Sequence, residues 1–496
     1  MLICLAVGCG DDSNPAAESS GSTSSGDGST GAPPSSDTSG NETGDSSAAD
    51  TESTTAGSES STGHDGGVLD GIWRTEGYGW IYAVEGDDIV VYEVTSDSCM
   101  QVVVGTVVEP NTADAARVDL EVPGLFTLGM SVIEGDAGAL HFLADGLIVA
   151  PPAHTVDALP DACAEAPDGS DVAVFDTLTA WFDEHYALFG DRDADWPGLV
   201  AQHRADLTGE DPPPLFEVFS SLLGPLEDAH ISLQGPEGVF EGRRIEAEPV
   251  TEAMVEEAQA LISEGYLVTE RQSWVDGQIE FARLPGDVGY LAAHGFGPLV
   301  GEDGRLDYLA AVAEFEGALD EVFSGEAMAG LVIDLRTNGG GSDLYGLALA
   351  SRLTTESYTA YSVRARIDTD DDSVFSELEA VMVEPSANPG FDGPVAVLVG
   401  RDTVSAAETA ALALRGRPEI TVFGERTQGA FSSVLNHFLP NGWLMGLPNE
   451  HYLTEAGERF DVVGIPPDVE TPVFTTDDLS AARDSALDAA LASFEL

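Results

Sequence analysis

Three consecutive glycines, Gly339 to Gly341, follow closely on an apolar run, Leu331 to Ile333, that turns polar at Asp334. The run reads as a buried strand, and the glycines release it into a bare loop. With no Cβ in the way, backbone N–H groups in such a loop approach a substrate closely, and positive φ carries no steric cost. The loop is suited to holding an oxyanion. A second buried strand, 394–400 (PVAVLVG), places Thr403, Val404 and Ser405 just ahead of the helix-compatible run AAETAALALRG. Ser405 therefore stands at a helix N-terminus, where free N–H groups and the positive end of the helix dipole stabilise an attacking alkoxide. The same position also suits an ordinary cap, with Glu408 three residues on completing a capping box.

Four motifs occur in order: DLRTNGGG, TVSAAE, GERTQG (424–429) and GIPPD (464–468). The set resembles the S41 family of serine peptidases, which includes the carboxy-terminal processing (tail-specific) proteases, the tricorn core protease and the retinoid-binding repeats. The resemblance covers residues 170 to 475 and is densest from Val288 onward. It implies an α/β fold, a crotonase-like ββα spiral, with Ser405 as nucleophile. Its oxyanion donors would be the N–H of Ala406 and one from Gly339 or Gly340. Tyr290 and Phe296 match the family's G-Y-x-x-x-x-F strand and read as core.

All 19 basic residues are arginines. The Ser-Lys dyad of the bacterial processing proteases therefore cannot form, and a guanidinium that stays protonated cannot accept the serine's proton. Histidine is the natural replacement. The tricorn-like branch carries its base in a motif resembling L-x-D-x-H after a helix. Here LEDAH, ending at His230, follows the helical stretch LFEVFSSLLGPL, with Ala229 where the pattern usually has glycine. On position alone His230 is equally a surface histidine at a helix end. The tricorn-like pattern also implies an acid that orients the imidazole, at the position of Asp461, where aspartate replaces glutamate. His294 and His437 are alternative bases, in runs that suit packing or solvent exposure.

Asp368, Asp370, Asp372 and Glu379 fit positions of a calcium loop, but Ser373 stands where that loop needs glycine. No zinc motif or phosphate-binding loop with lysine is present, so neither a metal nor a cofactor is expected. A formal net charge of −69 argues against nucleic acid and anionic membrane surfaces as partners.

Residues 1–9 run from an apolar LICLAVG stretch into Cys9, a pattern that resembles a bacterial lipoprotein signal lipidated at that cysteine. Ala6 stands where leucine is preferred and no positive segment precedes the run. Residues 10–67 are Ser, Thr, Gly, Asp and Glu with almost no large apolar residues, and read as a disordered tether. The expected location is the cell envelope or outside the cell, with membrane contact only through the lipid. With Cys4 and Cys9 assigned to the signal, Cys99 and Cys163 remain and are expected to form a disulfide, two buried thiols being the alternative.

Short alternating runs over residues 68–158, among them DIVVYEV, QVVVGTVV and GLIVA, predict a small antiparallel β domain, with Trp73, Tyr78, Trp80 and Tyr82 as core or as a ligand face. Residues 170–235 predict a helical cap, 236–475 the peptidase-like core, and 476–496 a terminal amphipathic helix. Fewer than 60 residues separate His230 from Val288, too few for the PDZ domain that processing proteases insert there. The expected activity is that of a serine endopeptidase acting on extended or unfolded polypeptide. A catalytically silent binding protein for an apolar ligand or protein partner, or an esterase using the same site, are the other readings.

Overall fold

The computed structural model describes residues 69–109, 115–122, 126–243, 250–417 and 419–494. The expected lipidation at Cys9 and the tether lie outside the described residues. Eight strands open the fold: β1 (Gly71–Thr75), β2 (Trp80–Glu85), β3 (Asp88–Val94), β4 (Cys99–Glu109), β5 (Ala115–Val122), β6 (Phe126–Glu134), β7 (Leu140–Ala144) and β8 (Pro152–Thr155). Each pairs antiparallel with the next, and β8 pairs back to β1. The result is a closed up-and-down barrel. Trp73, Tyr78, Trp80 and Tyr82 are all buried in the apolar cluster that includes its core. Cys99 on β4 is bonded to Cys163, 64 residues on, beyond the last barrel strand.

The apolar run GLIVA is not a strand. Ile148 and Val149 leave the barrel and pack against the core of the following domain. Their apolar character reflects that contact and not strand alternation.

Helices α1 (Asp171–His185), α2 (Trp196–Leu207) and α3 (Leu215–Leu223) follow. Their apolar faces join the barrel's core and that of a small sheet in one cluster, in which Phe175, Trp181 and Phe219 meet Trp80, Val91, Leu435 and Met445. The chain continues through β9 (Ser232–Gly235), β10 (Gly238–Glu241), α4 (Glu252–Gly265), β11 (Gln272–Trp274), β12 (Ile279–Leu284) and β13 (Val288–Ala293). Next come β14 (Leu299–Val300), β15 (Arg305–Asp307), α5 (Tyr308–Ser324), β16 (Gly330–Asp334), α6 (Asp343–Ser351), β17 (Tyr358–Ala365) and β18 (Glu379–Val383). The last stretch holds β19 (Val395–Val399), α7 (Ala406–Arg415), β20 (Ile420–Gly424), β21 (Val434–Phe438), β22 (Leu444–Pro448), β23 (Glu450–Leu453) and β24 (Val469–Glu470). Helices α8 (Thr476–Ser480) and α9 (Ser485–Ser493) end it.

The central sheet has the order β11-β12-β13-β16-β19-β20-β24, and from β13 onward its strands run parallel. Strands β16 and β19 are buried along their whole length, as parallel strands covered on both faces must be. Leu331, Ile333, Val395 and Val397 face α5, α6 and α7, while Val332, Ala396 and Leu398 face α4, α8 and α9. The predicted boundary near residue 235 is crossed by pairing, since β9 is hydrogen-bonded to β22. The barrel is likewise joined to the core, because β15 adds in parallel to β6. The terminal helix is broken in two. Ala482 takes a positive φ of 52°, and Asp484, whose Oδ1 accepts from the Leu487 N–H at 3.0 Å, starts a new helix.

Candidate active site

Neighbouring parallel strands place their C-terminal loops side by side, the usual location of sites in such sheets. In the register of β16 and β19, Asp334 lies opposite Leu398, so the glycine loop and the segment bearing Ser405 emerge together. Two contacts tie them. The Val404 N–H donates to the Asn338 carbonyl at 3.1 Å. The Thr403 hydroxyl donates to the Leu335 carbonyl at 2.8 Å and accepts from the Gly400 N–H at 2.9 Å.

Ser405 is the N-cap of α7, with φ 59° and ψ −125°, a conformation that costs a side-chain-bearing residue about 1–3 kcal/mol. Surrounding bonds hold it there. Its N–H donates to the Ala430 carbonyl at 2.9 Å and, more weakly, to Glu408 Oε2 at 3.3 Å. Glu408 does more than return a cap. Its buried carboxylate accepts from the Thr427 hydroxyl (2.5 Å), the Gly429 N–H (2.7 Å) and the Ala430 N–H (2.9 Å), pinning the GERTQG turn beneath the serine. Burial pushes this carboxyl up to about 7, against those hydrogen bonds.

Gly340 has φ +102°, and a Cβ placed on it would lie 2.6 Å from the Ser405 Cβ and 3.1 Å from the Ala406 nitrogen. Only glycine lets this loop press against the serine. The Gly340 N–H is already donated to Asn338 Oδ1 at 2.8 Å. Of the two candidate glycine donors, Gly340 is thus committed within the loop, which leaves Gly339. Ala406 is the first residue of α7, where the helix leaves N–H groups without internal acceptors.

His230 lies between a short turn at Gly224–Leu226 and β9. It is buried, not a surface residue at a helix end. The loop is shaped by Asp228, whose Oδ1 accepts from the His230 backbone N–H at 3.0 Å. Asp228 Oδ2 meets the Tyr186 hydroxyl at 2.9 Å and Arg192 at 2.8 Å. Neither ring nitrogen of His230 has a hydrogen-bond partner among the described residues. The bond from His230 to Ser405 is therefore not formed in this conformation. Burial pushes the ring down to about 4, against the pull of Asp228.

Asp461 is also buried, and neither carboxylate oxygen has a hydrogen-bond partner among the described residues, so it does not contact His230 either. Burial pushes it up to about 8; Arg459 pulls the other way, while Asp228 from the histidine loop and Glu408 from the nucleophile helix push it further up. Its backbone is docked close to the serine, because the Val462 N–H donates to the Gly429 carbonyl at 2.7 Å. Tail, turn and nucleophile are thus joined, and His230 and Asp461 are both buried.

The other histidines are engaged elsewhere. His437 stacks on Trp181 with ring centroids 3.5 Å apart and lies 3.4 Å from Glu93 of the barrel. His294 bonds Thr337 Oγ1 at 2.9 Å. Asp368 Oδ1 accepts from the N–H groups of Asp370 and Asp371, a local turn. Sequence reasoning missed Arg192 and Tyr186 as supports of the histidine loop, and no local motif marks them. Glu408 was visible only as a cap partner.

Residues 287–471 match the family model described as Peptidase family S41. Among curated proteins, the chain is similar to carboxyl-terminal-processing peptidase 2, chloroplastic, of Arabidopsis thaliana, at 28% identity over 258 residues, 49% of this chain and 42% of that protein. It is similar to the C-terminal processing peptidase, chloroplastic, of Tetradesmus obliquus at 31% identity over 152 residues, 30% of each. The chain spans less than half the length of these curated relatives. Among solved structures, a candidate peptidase from Parabacteroides merdae shares 25% identity with a TM-score of 0.55, over 66% of this chain and 98% of that one.

Proposed function

Because the chain belongs, through residues 287–471, to peptidase family S41, we propose that it is a serine endopeptidase in which Ser405 attacks the peptide carbonyl. The observation that carries this reading is the strained backbone of Ser405 with Gly340 pressed against it, since stored strain marks functional positions. The N–H groups of Ala406 and Gly339 hold the oxyanion. His230, neutral and unpartnered in the resting form, takes the serine's proton and passes it to the leaving amine. Asp461 orients the imidazole once the two meet. Both contacts form when substrate closes the site, as catalytic hydrogen bonds commonly tighten only in the Michaelis complex. The parallel half of the central sheet belongs, on this reading, to a crotonase-like ββα spiral. Substrates are extended or unfolded polypeptides, and the disulfide favours an oxidising compartment at the cell envelope or beyond.

The test is hydrolysis of casein by the purified chain beside Ser405→Ala and His230→Ala. Wild-type cleavage with both variants reduced at least about a thousandfold supports the reading. An inert wild type, or variants that cleave as fast, ends it.

A further inference from the structure

The peptidase reading leaves the barrel without a task, yet the barrel reaches both backbone segments that flank Ser405. On one side is the glycine loop. Ser342, next after Gly341, donates its hydroxyl at 2.5 Å to the carbonyl of Gly146 in the segment between β7 and β8. Gly146 is itself seated against Tyr308, with φ +89°, where a Cβ would meet the ring at 2.6 Å. On the other side is the 430–433 segment, whose Ala430 carbonyl receives the Ser405 N–H. There Tyr78, from the loop between β1 and β2, donates to Glu450 Oε1 at 2.6 Å. The same carboxylate accepts from the Ser433 N–H through Oε2 at 2.9 Å.

The Tyr78 loop is anchored in turn. The Gly77 carbonyl contacts His185 Nδ1 at 3.0 Å and accepts from Asn449 Nδ2 at 3.2 Å. Tyr78, Ser342 and Glu450 are all buried, so these bonds act in a low dielectric and leave little freedom to shift. The added β15 strand and the shared apolar core hold the barrel rigidly to the elements it grips.

We infer that the barrel is a positioning module of the catalytic site, with Tyr78 and the Gly146 carbonyl fixing the two segments between which Ser405 is presented. The inference rests on the peptidase reading. Tyr78 and Ser342 are positioning residues; they act through the backbone next to the serine and touch no reacting atom. Small displacements at such a site cost rate without costing affinity.

The experiment compares wild type, Tyr78→Phe, Ser342→Ala and Val118→Ala on a peptide substrate that wild type cleaves, with hydrogen exchange measured over 339–342 and 429–434. Val118 is buried on β5, which makes neither contact, and its truncation reports simple loss of barrel stability. Tyr78→Phe is expected to lower kcat roughly ten- to a hundredfold with KM little changed, and to raise exchange in 429–434. Ser342→Ala should do the same for 339–342, while Val118→Ala lowers Tm alone. An active wild type matched in kcat by both Tyr78→Phe and Ser342→Ala overturns the brace and leaves the peptidase standing. An inert wild type overturns both.

Discussion

At the residue scale the site is a set of groups held away from their ordinary protonation states by burial. His230 is pushed down to about 4, so it stays neutral, and able to accept a proton, well below the ordinary imidazole value. The acid limb of kcat/KM, which reports the free enzyme, should therefore fall near pH 4 and not near pH 6.5. A pH–rate profile on a small peptide from pH 3.5 to 8 checks this, and an acid limb centred at 6.5 would mean that another group is the base. Ser405 and His230 could be proposed from sequence because their motifs are short and contiguous. Asp228 was legible as a letter of the L-x-D-x-H motif, but its grip on Tyr186 and Arg192 was not, since those partners lie 42 and 36 positions away and are chosen by packing.

Among the elements, the glycine loop matters most. The triple glycine announced a loop without side chains, but sequence could not say which glycine was indispensable. Gly340 combines positive φ with a Cβ position only 2.6 Å from that of Ser405. Gly340→Ala should cost about 2 kcal/mol of stability and, by displacing the serine, at least about a hundredfold in kcat. Thermal melting and steady-state kinetics on the variant decide it; near-wild-type kcat would show that the loop does not constrain the nucleophile. The strands β16 and β19 were readable as unbroken apolar runs because both faces are covered. The terminal helix was misread as one because its apolar spacing continues across the break, while the Asp484 cap that restarts it depends partly on Arg336, 2.8 Å from Asp484 and far away in sequence.

For the whole molecule, burial of many titratable groups predicts an unusual stability profile. His185, His230 and His451 are pushed down to about 3, 4 and 4. Below pH 6.5 they bind protons only when unfolded, so their contribution is lost as pH falls toward 4. Glu93, Asp343, Glu408 and Asp461 are pushed up to about 8, 6, 7 and 8. They keep their protons when folded after the unfolded chain has released them, so their contribution is lost as pH rises from about 4.5 through 8. Between roughly pH 4.5 and 6.5 the two trends oppose each other, and above that window self-repulsion from a net charge of −69 adds to the loss. Melting temperature should be highest in this mildly acidic window and lower at both pH 3.5 and pH 8.5; a maximum at pH 8 would contradict the burial of these acids.

The sequence by itself determined the two buried strands, the loop and helix they feed, the nucleophile and base candidates, and the acidic composition, because each is written in contiguous residues whose local chemistry leaves few options. Tertiary structure alone decided which glycine N–H stays free, where the histidine loop is anchored, and that the barrel is fused to the site it flanks. Those outcomes rest on contacts between residues up to 372 positions apart, and the free energy of such contacts is set by burial and geometry that no local stretch of chain encodes.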